Sequence, residues 1–311
     1  QGYSVAISAD GNTAIVGGPG DNATAGAAWV YTRTAGAWSQ QGNKLAGAGW
    51  TSPASQGRSV AISAYGSTAI VGGSDAAWIF ASSAFTRWVP VTSHNAGLNG
   101  SQWRSDLGLL NTGSAAANVQ LEFFGSGGVV TNTIYVPAGT QSILTDVVGQ
   151  LGASGQGAVR VTSDVPLKVS SRTYNLVAGD AECYPNGTQG QNYPAIAAGE
   201  GLGAGQSAHV SGLTENAFYR SNVGLVNAGS GPATVLVELY DGAGIRLTDY
   251  TVSLAAGQWA QETQPFKNKA GQAAMDRGYA RVTVTSGSGV FAFASVVDNI
   301  TNDPTTVTMQ R

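Results

Sequence analysis

Apolar and polar residues alternate along this chain in short runs, which are separated by glycine-rich turns. Val119, Leu121 and Phe123 alternate with polar residues, and residues 234–240 form a similar run. A period of two residues is that of a half-buried antiparallel strand. The 44 glycines favour tight turns between such strands. The pattern therefore predicts an all-β protein, in which only residues 266–275 favour a short helix.

The first of two internal duplications lies near the start of the chain. Residues 2–18 return almost unchanged as residues 57–73, at an offset of 55. Residues 27–31 return as residues 76–80 at an offset of 49, so the second copy has a shorter loop. Loops vary more readily than the strands they connect. The two copies are therefore two examples of one repeated structural unit.

Each copy predicts a short meander of strands. In the first copy the predicted strands are residues 4–8, 13–16, 27–31 and 38–45. The pair Asp10-Gly11 predicts a hairpin turn between the first two, because both residues tolerate positive φ. Four strands in about 50 residues is the size of one propeller blade.

Residues 4–21, SVAISADGNTAIVGGPGD, resemble the bacterial form of the FG-GAP repeat, the blade unit of integrin-α-like β-propellers. The resemblance covers under a third of the chain, and it implies a calcium loop of alternating Asp and Asn residues in many family members. Here only Asp10, Asn12 and Asp21 are of that kind, and the second copy replaces the first two. Calcium takes about six oxygen ligands. We therefore expect turn residues without a cofactor, and a calcium site is the alternative.

Residues 1–91 hold about one and a half to two such blades, whereas a propeller needs at least four. Because Gln1 already lies inside a repeat, we expect a processed product or a fragment of a longer chain. Two isolated blades leave unpaired strand edges. We therefore predict that the edges of residues 2–90 bind a second copy, or another β-rich protein, by strand addition.

A second, unrelated duplication occupies the rest of the chain at an offset of 116 at its start. The matching pairs of segments are residues 103–114 with 219–230, 119–124 with 235–240, 158–163 with 279–284, and 171–175 with 295–299. They predict two homologous domains at residues 92–190 and 208–311, joined by a linker at residues 191–207.

About seven short strands in roughly 100 residues favour a β-sandwich for each of these domains. The turn Asn111-Thr112-Gly113 before a valine-rich strand resembles bacterial extracellular Ig-like modules. The predicted architecture is therefore a partial propeller-like β-repeat region followed by two homologous Ig-like antiparallel β-sandwich domains.

Charge and apolar length exclude several kinds of partner. Only 11% of residues are charged, the net charge is −3, and no Lys/Arg cluster is present, so we expect no nucleic-acid or membrane-surface partner. No apolar run approaches the about 20 residues that span a bilayer, so we expect no membrane span. Cys183 is the single cysteine, which excludes an intrachain disulfide and leaves an inert thiol as the expectation.

The residues that could carry chemistry do not form a recognisable catalytic set. His94 and His209 stand outside any nucleophile-elbow or zinc motif, and we expect both at the surface. Glu122 and Glu238 fall at matching strand positions, which duplication explains better than catalysis. We predict no enzymatic activity, no catalytic residue, no cofactor-binding residue and no metal ligand.

Two further sets leave alternatives open. Arg104 and Arg220, with Asp106 and Asn222, occupy equivalent places and form either a strand-end hydrogen-bond network or a ligand-binding pair. Of the seven tryptophans, the equivalent pair Trp29 and Trp78 is expected in the core. Those with less certain places, and therefore candidates for contacts with sugar rings, are Trp50, Trp88, Trp103 and Trp259.

These features predict a non-catalytic extracellular or cell-surface protein of bacterial type. Its predicted role is structural or adhesive, as a subunit of a surface filament assembled by β-strand complementation. The alternative is a carbohydrate-binding accessory region of a larger secreted enzyme, with glycans as partners. A hydrolase whose site is assembled across domains is a third hypothesis.

Overall fold

The computed structural model describes residues 2–8, 11, 13–34, 37–41, 43–50, 53–63, 66, 68–81, 85–177 and 187–311. Strands dominate these ranges and pair in antiparallel sheets. The predicted all-β class is confirmed. In the same ranges, no helix has the length and apolar character needed to cross a membrane.

Repeat 1 (residues 2–50) forms a four-stranded sheet whose strands pair in chain order. The strands are β1 (Ser4–Ile7), β2 (Thr13–Gly18), β3 (Ala27–Thr34) and β4 (Ala37–Gln40), with a left-handed turn, α1 (Asp21–Thr24), after β2. Gly11, in the turn between β1 and β2, has φ of 68°, a conformation that glycine adopts without strain. The predicted meander is therefore present, although its fourth strand ends at Gln40.

Repeat 2 (residues 53–81) forms a three-stranded sheet that packs against repeat 1. Its strands are β5 (Ser59–Ile62), β6 (Thr68–Gly72) and β7 (Ala77–Ala81), again in chain order. At the contact, the Ser4 hydroxyl donates to the carbonyl oxygen of Gly57 at 2.8 Å. Gly17 lies so close to this carbonyl that a Cβ on it would stand 2.1 Å from the oxygen.

Unit 1 (residues 85–191) is an eight-stranded sheet in the order β11-β10-β13-β8-β9-β14-β15, with β12 on β9. Its elements are β8 (Phe85–Ala96), β9 (Gln102–Leu110), β10 (Ala117–Gly125), β11 (Gly128–Val136), β12 (Gln141–Leu144), α2 (Val147–Gln150), β13 (Gly155–Ser163), β14 (Lys168–Val177) and β15 (Gly187–Gln191). The boundary expected at residue 91 falls inside β8, so this strand belongs whole to unit 1.

Unit 2 (residues 202–311) has two sheets, in the orders β17-β22-β19-β20 and β16-β23-β18-β21, with β24 on β23. Its elements are β16 (Leu202–Gly203), β17 (Ser207–Glu215), β18 (Tyr219–Asn227), β19 (Ala233–Tyr240), β20 (Arg246–Leu254), β21 (Trp259–Thr263), α3 (Pro265–Asn268), β22 (Met275–Ser286), β23 (Ser288–Asp298) and β24 (Pro304–Thr308). Side chains of both sheets, including Val223, Val235 and Val282, form one buried core.

The two units have the same strand order. The row β11-β10-β13-β8 of unit 1 corresponds to β20-β19-β22-β17, and β12-β9-β14-β15 corresponds to β21-β18-β23-β24. The one-turn helices α2 and α3 also correspond. The prediction of a single helix over residues 266–275 was therefore wrong, since α3 ends at Asn268, Met275 begins β22, and α2 is its counterpart.

The segment expected to be a linker, residues 191–207, begins at the end of β15 in unit 1 and reaches the start of β17 in unit 2, and it packs against both units. Tyr193 and Leu202 are buried, and Ile196 pairs with Trp88 through two backbone hydrogen bonds. Side chains of unit 1, including Trp88, also share an apolar cluster with Val226 of unit 2. The units therefore meet through a defined contact.

Candidate functional site

The two repeats pack through opposite faces of equivalent strands. In repeat 1 the cross-strand row Ala6, Ile15 and Val30 lies in the core shared with repeat 2. The equivalent row of repeat 2 faces solvent, where the side chains of Ile70 and Ile79 are 46% and 72% exposed. We name this exposed row, which also contains the alanine at position 61, the forward face.

Repeat 2 uses its other face for the same contact. Val60, Ile62 and Val71 pack into the shared core. Their equivalents in repeat 1 include Val5 and Ile7, whose side chains are 70% and 57% exposed. Together with the exposed Tyr at position 3, these residues form what we name the rear face.

The forward and rear faces are therefore equivalent in sequence to the two surfaces that form the contact between the repeats. Contiguous exposed apolar side chains on a small β-structure mark interaction surfaces. Burying a large aliphatic side chain stabilises an association by about 1.5–3 kcal/mol relative to leaving it in water. These surfaces are therefore candidates for association.

A cleft between the two units is the second candidate. Two adjoining cavities of about 590 and 380 Å³ share Asn95 and Gln156 in their linings. Ser93 Oγ, Asn222 Oδ1 and Trp259 Nε1 are buried in this cleft without a hydrogen-bond partner in the described part of the chain, as is Asn95 Oδ1. The cleft therefore presents unpaired neutral polar atoms.

Arg104 and Arg220 are held by groups of the protein itself. The Arg104 guanidinium donates to the Trp103 carbonyl and lies 3.6 Å from the Asp146 carboxylate. Arg220 is buried and donates to the side chains of Asn299 and Asn302. These contacts are those of a hydrogen-bond network.

The other two members of that predicted set differ. Asp106 accepts a hydrogen bond from the Tyr174 hydroxyl at 3.0 Å, and burial together with this carboxylate raises the pKa of Tyr174 to about 12. Asn222, which lines the cleft, donates to Ser295, and its buried amide oxygen has no hydrogen-bond partner in the described part of the chain. Asn222 is therefore the member of this set that retains an unpaired polar atom.

Glu122 and Glu238 each pair with an arginine on the neighbouring strand. Arg160 donates to both carboxylate oxygens of Glu122 at 2.6 Å, and Arg281 donates to Glu238 at 2.6 Å. The Arg281 guanidinium holds the pKa of Glu238 below its usual range. Both pairs join the same equivalent strands, as duplication predicts.

The histidines are also placed apart from each other. His94 is half-buried, and its Nδ1 lies 2.7 Å from the Asp146 carboxylate. No described serine hydroxyl contacts the other ring nitrogen, so the pair lacks a nucleophile within the described ranges. His209 is exposed beside Tyr279.

The candidate calcium residues Asp10 and Asn12 lie outside the described residues, as does Cys183. Asp21 forms an ion pair with Lys44. No cluster of three or more His, Cys, Asp or Glu side chains that could hold a metal occurs within the described ranges.

The tryptophans do not form an exposed row on the units. Trp88 is buried against Phe124, with ring centroids 5.0 Å apart. Trp103 is buried and Trp259 half-buried, and both line the cleft. Sequence reasoning selected these two as sugar-contacting candidates but missed Tyr193, a buried cleft residue that it had assigned to the linker. The signal in the sequence that could have identified Tyr193 is that it is an isolated aromatic residue in a polar segment.

In the repeats, Trp29 is buried as expected, and Trp78 is half-buried, with its indole N–H donating to the Ala48 carbonyl at 3.0 Å. Trp50 is 37% exposed beside this loop. Trp29 and Trp78 therefore serve packing, whereas Trp38 is 44% exposed.

No protein-family model matches the chain, and no curated protein matches it. Among solved structures, one described as "Crystal Structure of Thermotoga maritima 1070" is 18% identical, with 35% of this chain and 92% of that chain covered. Its TM-score is 0.25, which carries no argument about fold or function.

Proposed function

We propose that the protein is a non-catalytic structural or adhesive protein of the bacterial cell surface, whose copies assemble head to tail through repeats 1 and 2. The exchange of faces between the two repeats carries this proposal. The forward face of one copy contacts the rear face of the next. The residues on that rear face are equivalent to those through which repeat 2 already packs against repeat 1.

In the proposed assembly, the contact between copies repeats the contact between repeats 1 and 2. Val5 and Ile7 of one copy take the places of Val60 and Ile62, and they pack against Ile70 of the next copy. The polar contact transfers as well. The Ser59 hydroxyl lies on the exposed forward side and corresponds to that of Ser4, so it would donate to the Gly2 carbonyl of the neighbouring copy, as Ser4 does to Gly57.

This arrangement uses sheet faces, whereas the sequence suggested strand edges. Exposed large apolar side chains of both repeats, namely Tyr3, Val5, Ile7, Ile70 and Ile79, lie on the two faces, and burial of apolar area is the main driving force of association. Such a contact joins two different surfaces, so it yields a ring if the rotation closes and a filament if it does not.

Two substitutions with a matched control test the proposal. Light scattering after size exclusion is expected to give masses that rise above the 31.5 kDa of one chain as concentration increases. Ile79→Asp on the forward face and Val5→Asp on the rear face are each expected to leave monomers. Ile300→Asp, at a side chain 75% exposed on unit 2, is expected to assemble as the wild type does.

Mixing the two face variants separates this geometry from other forms of association. Each variant retains one intact face, so an equimolar mixture of Ile79→Asp and Val5→Asp chains is expected to form dimers and nothing larger. A wild type that is monomeric at every concentration overturns the proposal, and so does a mixture that remains monomeric. Electron microscopy then distinguishes rings from filaments.

A further inference from the structure

We propose that the cleft between units 1 and 2 binds a neutral, polyhydroxylated ligand, with a short uncharged oligosaccharide as the chemical class. The proposal goes beyond the assembly function and does not depend on it. It rests on the unpaired polar atoms of the cleft, on its lack of available charge, and on its aromatic walls.

The unpaired atoms define what a ligand must supply. Asn95 Oδ1 and Asn222 Oδ1 are acceptors that need donors, Trp259 Nε1 is a donor that needs an acceptor, and Ser93 Oγ can serve as either. Buried polar groups without partners destabilise the folded chain, so a ligand that supplies the partners gains affinity. Hydroxyl groups both donate and accept, so a polyhydroxylated ligand matches this mixture of unpaired donors and acceptors once small side-chain rotations bring them to the surface of the cleft.

The charge of the cleft disfavours ionic ligands. The single charged side chain in its lining, among the described residues, is Arg220, whose guanidinium already donates to Asn299 and Asn302. The two unpaired amide oxygens repel an anion, since both carry partial negative charge. No carboxylate lines the cleft in the described ranges, so a cation finds no counter-charge.

The remaining lining combines amides with apolar rings. Gln156, Gln191 and Gln261 add further groups that donate and accept. Trp259, which is half-buried, supplies flat apolar surface, on which the C–H face of a sugar ring packs. The two cavities, of about 590 and 380 Å³, fall in the size range of small-molecule sites.

Both units hold the cleft in shape. The Tyr193 ring packs edge-on to Phe293 of unit 2 with centroids 5.6 Å apart, and Gln191 donates to the Tyr193 hydroxyl. Thr306 of unit 2 in turn donates to Gln191 of unit 1 at 2.9 Å. A ligand that contacts Asn95 and Asn222 therefore bridges the two units as well.

Calorimetric titration of the full chain with maltotetraose, cellotetraose, xylotetraose and mannotetraose tests the proposal. At least one is expected to bind saturably and to change tryptophan fluorescence, because Trp259 and Trp103 line the cleft. Asn95→Ala and Trp259→Phe are each expected to weaken binding about five- to tenfold, the value of one hydrogen bond. Asn132→Ala, at an exposed asparagine of β11, is the control and is expected to bind as the wild type does.

Thermal unfolding of each variant shows whether the fold is retained. The proposal is overturned if none of the four sugars binds, if binding is unchanged in both cleft variants, or if tetragalacturonate binds more tightly than every neutral sugar. The Ile79→Asp chain, which should be monomeric, is expected to retain full sugar binding. Failure of the assembly proposal and failure of this one are therefore distinguishable.

Discussion

Glu238 and Glu215 of unit 2 are both buried, yet their carboxyl groups lie in opposite environments. Arg281 donates to Glu238 and holds its pKa below the usual range. Burial raises the pKa of Glu215, although Glu215 accepts the backbone N–H groups of Phe266 and Lys267 at the start of α3. Their contributions to stability therefore change with pH in opposite directions.

The pKa of Glu238 is lower in the folded chain than in the unfolded chain. Its stabilising contribution is present above the pKa of the unfolded chain and is lost as pH falls through the folded pKa. Glu238→Gln is expected to lower the free energy of unfolding at neutral pH by about 1 kcal/mol, because Arg281 is partly exposed. This deficit should shrink in acid, as measured by urea unfolding between about pH 3 and pH 7.

Glu215→Gln provides the opposite control. Because its folded pKa is raised, wild-type Glu215 loses stabilising contribution as pH rises from the ordinary glutamate value through the folded pKa. The stability of Glu215→Gln relative to the wild type is therefore expected to increase with pH. Parallel curves for the two variants would contradict these assignments.

Residue roles were predictable from sequence where duplication supplied a second example. Glu122 and Glu238 match across the units, so duplication was a better explanation than catalysis, and the structure adds their equivalent partners Arg160 and Arg281. Glu215 gave no such signal. Its environment depends on α3, which approaches it only in the folded chain.

At the scale of elements, the contact between the repeats depends on a glycine, whose lack of a side chain lets two strands approach closely. Gly17 of β2 faces the carbonyl of Gly57, and any Cβ on Gly17 would lie 2.1 Å from that oxygen. The forward side of repeat 2 has Gly72 at the equivalent place, beside Ser59. One glycine thus serves the internal contact and the other the proposed contact between copies.

Gly17→Ala is expected to lower the free energy of unfolding of the repeats by about 1–3 kcal/mol through overpacking, measured by denaturation with tryptophan fluorescence. Gly20→Ala is the control, because no atom lies within 4 Å of its Cβ position. Gly72→Ala is expected to leave the monomer folded, since Ser59 can rotate away, but to abolish assembly. Normal assembly of Gly72→Ala would argue against the docked arrangement.

Strand positions were largely predictable, because alternation identifies a strand and the face that it buries. Alternation does not say which sheet a strand joins. The predicted boundary at residue 91 falls inside β8 for this reason, since alternation does not show that residues 85–96 form one strand that pairs with β13 and β9. Alternation also does not reveal the exchange of faces between the repeats, because both faces of the repeat strands carry apolar side chains.

At the scale of the whole molecule, the contact between units combines an aromatic pair with a glycine. Phe124 of unit 1 packs on Trp88, and Gly257 of unit 2 lies so close that a Cβ on it would stand 2.3 Å from the Phe124 ring. Arg160 lies over both rings. This contact sets the position of the cleft. The cleft could not be predicted from the sequence, because the pattern of each unit does not show how the two units pack together.

Phe124→Ser is expected to uncouple the units while leaving each core intact, because Phe124 packs outside both cores. Differential scanning calorimetry should show a single transition of the units in the wild type that separates into two in the variant. Tyr135→Ser, at an exposed side chain of β11, is the control and should unfold as the wild type does. An unaltered single transition in Phe124→Ser would mean that the units are coupled elsewhere.

The exchange of faces between the repeats also gives any assembly a direction. One terminal copy presents Val5 and Ile7 to solvent and the opposite terminal copy presents Ile70 and Ile79, so the two ends differ chemically. Subunits can then add at unequal rates to the two ends. A chain with one face blocked would stop growth at one end only, which makes each face variant a selective terminator of growth.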